Sequence, residues 1–566
     1  MARIRHVDIE NFRGIQKLSW WPSPGINCLI GPGDTGKSTV LDAIDLCLGA
    51  RRTVQFTDAD FFNLYVEAPI RITLTLGALD DALKNFETYG NYLRSCDAAA
   101  QTIDDEPEKG GETVLSLRLE VGSDLEPAWS LISDRATILR NLNWSDRLKV
   151  GPTRIGALAE YNLAWRRGSI LNRLTEERAD TSAALAKAAR EARSAFGDQA
   201  EEQLGETLKI VTESAKAVGV DVGDKLKAML DAHSVSFSGG TVSLHDEDGV
   251  PLRSLGLGST RLLIAELQRR ASKDAGIILI DELEHGLEPH RIIRLLGSLG
   301  AKEEKPPVQG FLTTHSPVAV RELSGDQLFV VRKVDDQHTV QVVGVDDLVQ
   351  GTIRVFPEAF LAKAVIVCEG ASEVGLLRGL DQVWVSRDFS SLTALGIALV
   401  NAGGCDQIYS RANALRRLNY PTAVLRDDDK QPNAAVERQF LEAGGSLFKW
   451  QAGRSTEDEL FMSLSEASVL KLLDRAVEIH GDELVEAHID SVSAGLLTLA
   501  DCRADLSDSN RALLARAACT NKNAWFKTVS RMEWIGREIV GDDPDIEAGF
   551  HEVIGQVADW TENFSD

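Results

Sequence analysis

Nowhere in the 566 residues do about 18 apolar side chains run together, so no segment qualifies as a membrane-spanning helix. The opening MARIRHVDIENFRG lacks the apolar stretch of a secretory signal. Cysteine is scattered singly, at Cys28, Cys47, Cys96, Cys368, Cys405, Cys502 and Cys519, odd in total and without a CxxC pair. That pattern argues against a disulfide framework or a zinc site and leads us to expect a reducing cytoplasm. A basic excess is missing too: 61 Lys and Arg stand against 86 Asp and Glu, a formal net charge of −25. This argues against a histone-like surface and leaves room for a local basic groove. No internal repeat or long low-complexity tract stands out. The composition, 43% hydrophobic and 26% charged, is ordinary for globular proteins. At ~100–200 residues per domain the length suits about three domains.

What is there begins with a buried-type strand, Gly25 to Ile30, followed by Gly31-Pro-Gly33-Asp-Thr-Gly36-Lys37-Ser38-Thr39 and a helical stretch, VLDAIDLCLG. Strand, glycine loop and helix is the context of a P-loop. The glycines let successive backbone N–H groups curl around phosphates at the helix N-terminus. Lys37 would reach the β/γ oxygens and the Ser38 hydroxyl would ligate Mg²⁺, so the expected ligand is a nucleoside triphosphate.

Far downstream, Gly276-Ile-Ile-Leu-Ile280 is a continuous apolar strand ending in Asp281-Glu282. A carboxylate at such a strand end can hold Mg²⁺, and its neighbour can orient the attacking water. An acidic strand end is also a common solvated feature; the pairing with the P-loop gives this one its meaning. Before the strand lies Ser254-Leu-Gly256-Leu-Gly258-Ser-Thr-Arg261, and after it come Gly286-Leu-Glu-Pro289-His290 and a second strand ending Thr313-Thr-His315. This order resembles the split ATPase heads of the ABC and SMC class: P-loop, insertion, signature turn, Walker B, D-loop, switch histidine. In that class two heads sandwich ATP. The resemblance therefore implies that Ser254, Gly256 and Gly258 face the γ-phosphate held by a second head, and it assigns γ-phosphate sensing to His315. The signature departs from the usual LSGG form. The class's Q-loop has Gln55 as its candidate, and an arginine finger has none.

Residues from about 112 to 135 alternate like sheet strands. From about 157 to 232 the chain turns rich in Ala, Glu, Lys and Arg, which reads as helix. This stretch is too short for a long coiled coil and shows no sustained heptad, so it is expected to be a compact insert, either a dimer contact or a packed lid. SVSFSGGTVSLHDEDGVPL then reads as a hairpin returning to the sheet.

In the last third, Val365 to Cys368 reads as a strand ending in Glu369-Gly370, with Glu373 in the first turn of the helix that follows. Leu395 to Val400 ends at Asn401 and the turn AGG; Thr422 to Leu425 ends in Arg426-Asp427-Asp428-Asp429. Strands alternating with helices imply a parallel sheet whose site lies at its C-terminal edge. Side chains alternate along a strand, so Asp427 and Asp429 can share a direction while Asp428 points aside. With Glu369 and Glu373 they would form a hard-oxygen pocket for Mg²⁺ or Mn²⁺, since packed carboxylates repel unless a cation neutralises them. Glu457, Asp458 and Glu459 are possible completing ligands, and equally an ordinary wet loop.

The EG…SE and DxD combination resembles the Toprim fold of topoisomerases, primases and OLD-family (overcoming lysogenization defect) nucleases. The whole arrangement, with its opening IENFRGI and late Asn521-Lys522-Asn-Ala-Trp525-Phe-Lys527, resembles the OLD family. The fold class this implies is α/β. It comprises a split ABC-type P-loop ATPase head (1–156 and 233–355) with a helical insertion (157–232), then a Toprim parallel-sheet domain with helical additions (356–566).

By resemblance, Glu369, Asp427 and Asp429 would hold one metal, and Glu373 with Glu457 or Glu459 would help a second; ions ~4 Å apart would activate water and stabilise the leaving oxygen. Lys527, or Lys522, would neutralise charge on the scissile phosphate. The implied activity is ATP-regulated DNA cleavage in bacterial phage defence or DNA processing, by a homodimer or larger homo-oligomer, with a helicase-like partner in some relatives and no membrane. A topoisomerase would need a tyrosine nucleophile, and none of the six tyrosines has a recognisable context. The rival reading is a DNA-binding repair or maintenance ATPase without nuclease activity, and RNA is a third possible target. Arg166, Arg167, Arg416 and Arg417 are candidate phosphate contacts or surface salt-bridge partners.

Overall fold

Ile26–Ile30 is buried at every position, as a strand covered on both faces must be. In the computed structural model its alternate side chains enter two different cores: Ile26, Cys28 and Ile30 on one face, Leu29 on the other. The structure describes residues 2–156 and 244–564, apart from 52–53, 82, 85–88, 107–109, 137–138, 143, 148–149, 271–275, 335–336 and 521–522. It also describes 163, 169–171, 187–188, 190–191, 196 and 204–211.

This strand is central in a six-stranded sheet, in the order Thr153–Arg154, Ile277–Ile280, Gln309–Thr313, Ile26–Ile30, Leu328–Val334, Gln337–Val342. The first five run parallel and the last returns as an antiparallel hairpin. Lys37–Leu48, the P-loop helix, lies between this sheet and an antiparallel one of eight strands, built around Ile15–Trp20, Arg3–Phe12, Ile70–Gly77 and Glu112–Val121. Glu112–Val121 and Pro127–Ile132 are the strands expected there, although burial is continuous over residues 114–117 and does not alternate. On the opposite face pack Leu257–Arg270, Pro289–Ser298 and Pro317–Glu322.

The four-stranded third sheet is wholly parallel, in the order Ile397–Asn401, Ala364–Cys368, Thr422–Arg426, Ser446–Lys449. The strand order reverses at Ala364–Cys368, the next strand in sequence lying on one side of it and the following two on the other, so the crevice at its carboxyl end is where such a sheet places its site. Val365, Val367 and Val424 face the core shared with the ATPase sheet; Ala364, Ile366, Ala423 and Leu425 face a second core roofed by helices from 466 to 562. The two sheets are also joined by Arg332. Buried on strand Leu328–Val334, it donates to the carbonyls of Lys363 (3.0 Å) and Ala362 (3.1 Å) and lies 3.9 Å from the centre of the Tyr420 ring.

Of the expected helical insert, residues 204–211 are helical; most of 157–232, with Arg166 and Arg167, lies outside the described residues, as does Lys522. The expected hairpin is described only from residue 244, where His245 bridges to Pro251. Among the described residues no helix is long and apolar enough to cross a membrane.

Candidate functional sites: a nucleotide cradle and a carboxylate crevice

Gly31 and Gly36 take positive φ angles, 126° and 81°, which side chains disfavour. A Cβ on Gly31 would also stand 2.8 Å from the Val331 carbonyl oxygen, so the loop lies tight against the neighbouring strand. Gly33 is exposed with open space about it. Lys37 is buried and folds back over the loop, donating to the carbonyls of Gly31 (3.1 Å) and Pro32. Burial lowers its pKa to about 8, with Arg332 adding to the effect against Asp34 and Asp281; a bound triphosphate would reverse that balance.

The Ser38 hydroxyl donates to Asp281 Oδ1 at 2.9 Å, and Thr313 Oγ1 donates to the same oxygen at 2.6 Å. The two groups expected around Mg²⁺ therefore meet, although 243 residues separate them. Thr39, in the first helical turn, is half-buried. Glu282 adopts φ 47° and exposes its carboxylate, 3.6 Å from His285 Nδ1. His315 is exposed at the end of the next strand, where its N–H donates to Glu284 Oε1 (2.8 Å); Thr314 Oγ1 holds the other oxygen of Glu284 at 2.6 Å. Gln55 is exposed, and no contact assigns it a role.

The signature turn differs from expectation in one residue. Ser254 and Gly256 are exposed, whereas Gly258 is buried, and a Cβ there would lie 2.4 Å from the Gly286 carbonyl oxygen. Gly258 thus serves the packing of the signature helix on the D-loop, not the exposed face.

Arg261 went unrecognised because one arginine in a helical run carries no signal. It is fully buried and donates to the carbonyls of Asp281 (2.9 Å), Glu282 (3.0 Å) and His285 (2.7 Å), tying the signature helix to the Walker B turn. Arg261→Ala would leave these buried carbonyls unpartnered, and unfolding stability should fall by about 3 kcal/mol or more, read from denaturant midpoints. An unchanged midpoint would show that water replaces the guanidinium at no cost.

In the third sheet, one carboxylate oxygen from each of Glu369, Asp427 and Asp429 lies within 4.8 Å of the other two. Asp428 points aside: Gly453 N–H donates to it (3.1 Å), as do Arg426 (3.3 Å) and Lys449 (3.4 Å). Arg426 is itself buried, bonded also to Glu437 and the Tyr409 hydroxyl, and so fixes the register of the three aspartates. Burial, then repulsion from Glu373 and Asp429, raises the Glu369 pKa to about 7. Burial, Glu373 and Glu369 raise that of Asp427 well above the usual carboxylate range.

Glu373 is buried, with Oε2 accepting from Gly370 N (2.6 Å) and Oε1 from Thr456 Oγ1 (2.5 Å). The three acidic residues of 457–459 part company. Asp458 caps its own helix through Ser455. Glu459 accepts from Gln451 N (2.7 Å), Arg454 (3.1 Å) and Ser463 (2.7 Å), so its charge is already met by a guanidinium and both its oxygens are hydrogen-bonded. Glu457, by contrast, is buried with Oε1 unpartnered, and burial and Glu373 raise its pKa against the pull of Lys527. Lys527 is exposed; burial opposes its charge, but Glu457, Asp427 and Glu373 outweigh this and hold its pKa above the ordinary value. Arg416 bonds the carbonyls of Tyr420 and Ala443 and so has a structural place; Arg417 is exposed.

Hard oxygens, mutual repulsion and an orphaned buried carboxylate oxygen fit a divalent cation held by Glu369, Asp427 and Asp429, with Glu373 and Glu457 beside them.

Comparison with known proteins matches residues 3–109 to an AAA ATPase domain and 133–321 to an AAA domain described as putative AbiEii toxin, Type IV TA system. Residues 360–429 match the Overcoming lysogenization defect protein-like TOPRIM domain. The OLD nuclease of Thermus scotoductus is 25% identical over 471 residues, 76% of this chain and 82% of that one. The DNA replication and repair protein RecF of Prosthecochloris aestuarii is 35% identical over 66 residues, 12% of this chain and 18% of its own. An Smc head domain from Pyrococcus furiosus, bound to the C-terminal domain of ScpA, aligns with 60% of this chain and 96% of its own at 15% identity and a TM-score of 0.35. The chain thus carries AAA ATPase segments followed by an OLD-like TOPRIM segment, and over most of its length it is similar to an OLD nuclease.

Proposed function

We propose that this protein is an ATP-regulated, divalent-metal-dependent DNA endonuclease, working as a homodimer or larger homo-oligomer in the cytoplasm, in defence against phage or in DNA processing. The observation that carries the reading is the convergence of Glu369, Asp427 and Asp429 at the crevice of a parallel sheet. Mg²⁺ or Mn²⁺ bound there would lower the pKa of a water and stabilise the leaving oxygen of a phosphodiester.

The chain's own residues do the rest. Glu369, Asp427 and Asp429 bind the ion, with Glu373 and Glu457 placed for a second. Lys527 meets the negative charge that builds on the scissile phosphate. At the other site Lys37 and the loop amides hold ATP, Ser38 and Asp281 hold its Mg²⁺, and Glu282 orients water. Ser254 and Gly256 are exposed for the nucleotide of a second head, and His315, beside this chain's own Walker B turn, senses a γ-phosphate. Arg332 supports coupling between the sites: its charge acts on the P-loop lysine, and it binds the carbonyls that lead into strand Ala364–Cys368, at whose end Glu369 sits. A helicase-like partner would act on the same DNA.

The test is cleavage of supercoiled plasmid with Mg²⁺ or Mn²⁺, with and without ATP, beside Glu369→Ala. Metal-dependent nicking that vanishes in the variant is expected. Equal nicking by both proteins would remove Glu369 from the site. ATP hydrolysis without any cleavage would favour a DNA-maintenance ATPase.

A further inference from the structure

Between Asp427 and Glu373 stands one fully buried neutral residue, Thr456. Its N–H donates to Asp427 Oδ1 at 3.0 Å, and its hydroxyl oxygen lies 2.9 Å from that same oxygen and 2.5 Å from Glu373 Oε1. Trp450 Nε1 donates to the hydroxyl oxygen at 2.8 Å.

These contacts can be satisfied in one consistent way. A threonine hydroxyl has one proton to give. The backbone N–H already serves Asp427, and the Trp450 N–H occupies a lone pair of Oγ1. The hydroxyl proton is then free for Glu373, its closer neighbour. Each of two mutually repelling carboxylates thereby receives a donor from the same residue.

We propose that Thr456 is a positioning residue for the cation site: it holds Asp427 and Glu373 in place against their repulsion. This role rests on the metal-dependent reading above. It explains why a threonine stands at the start of a helix whose N-cap, Ser455, is already supplied. Asp427 Oδ1 is held by the N–H, which leaves its second oxygen for the ion. Glu373 is pinned at both oxygens, by Gly370 N–H and by Thr456. Without the hydroxyl, Glu373 would swing from a buried repulsive position, and an ion would have to reorder it on binding.

The test uses the full-length protein and Mn²⁺, with binding followed by the loss of its free electron paramagnetic resonance signal and folding followed by circular dichroism. Thr456→Val keeps the shape and the backbone N–H and removes the hydroxyl. Hydrogen bonds to charged groups are strong enough that Mn²⁺ affinity should fall by roughly tenfold or more. Thr456→Ser restores the donor and should bind within about threefold of wild type. If the valine variant does not fold, Thr456→Cys takes its place; its weak donor should give an intermediate affinity. Wild-type Mn²⁺ affinity in the valine or cysteine variant would overturn the role, as would a serine variant no better than valine. Wild-type protein that binds no Mn²⁺ would overturn the metal-dependent reading and this role with it. Retained binding with no cleavage in any protein would count against the nuclease alone.

Discussion

Asp427→Asn should lower metal-dependent cleavage by roughly 10³-fold or more while making the metal-free protein more stable. The two effects have one cause. Asp427 sits among Glu373, Glu369 and Glu457, and burial together with their repulsion raises its pKa, just as burial and neighbouring carboxylates raise that of Glu369 to about 7. Such groups bind protons more tightly folded than unfolded. Their contribution to stability is therefore greatest below the ordinary carboxylate range, and it falls as pH rises from there to about 7 and above. Asparagine keeps the acceptor for Thr456 N–H and removes one charge from the crowd. A bound cation does the same for the native site, which is why the variant should lose the ion and the activity together. Thermal melts in chelator from about pH 5 to about pH 8 should decline for wild type and decline less for the variant. Mg²⁺ should raise the wild-type midpoint most at the alkaline end, where no proton competes with it. A variant less stable than wild type at about pH 8 in chelator would mean that Asp427 is held by attraction, not repulsion.

Glu282→Gln should slow ATP hydrolysis by roughly 10²–10³-fold and leave nucleotide binding intact. The neighbouring Asp281 is engaged with Ser38 and Thr313, so it has a holding role. Glu282 is placed differently. Its N–H donates to Thr313 Oγ1 at 2.8 Å, its φ of 47° turns the side chain outward, and its exposed carboxylate has only His285 within salt-bridge reach among the described residues. A glutamine there disturbs no buried contact, so the loss should be one of chemistry and not of folding. Phosphate release measured beside nucleotide binding separates the two. Hydrolysis at the wild-type rate would move the water-orienting role to another residue. The same arrested protein, added to the plasmid assay, reads the sign of regulation: nicking that rises marks the ATP-bound heads as permissive, and nicking that falls marks them as closed.

Local chemistry was enough to reveal the strands and the residues at their ends. The glycine loop, the acidic ends of Ile277–Ile280 and Thr422–Arg426 and the glutamate after Ala364–Cys368 are legible because each is a pattern within a few residues. Strand periodicity also foretold that Asp428 would turn aside. The tertiary structure alone decided which distant groups meet. It brought Ser38 to Asp281, set Arg332 over the Tyr420 ring, and inserted Thr456 between Asp427 and Glu373. It also separated residues that look alike in the sequence: Glu457 is left with an unpartnered oxygen, while Glu459 is bound by Arg454 and Ser463. Gly256 is open to solvent, and Gly258 is buried against Gly286. The physical reason is that a strand end or a turn is fixed by neighbours along the chain. The partner of a buried polar atom is fixed by whichever element packing brings across from it, and no spacing of residues records that choice.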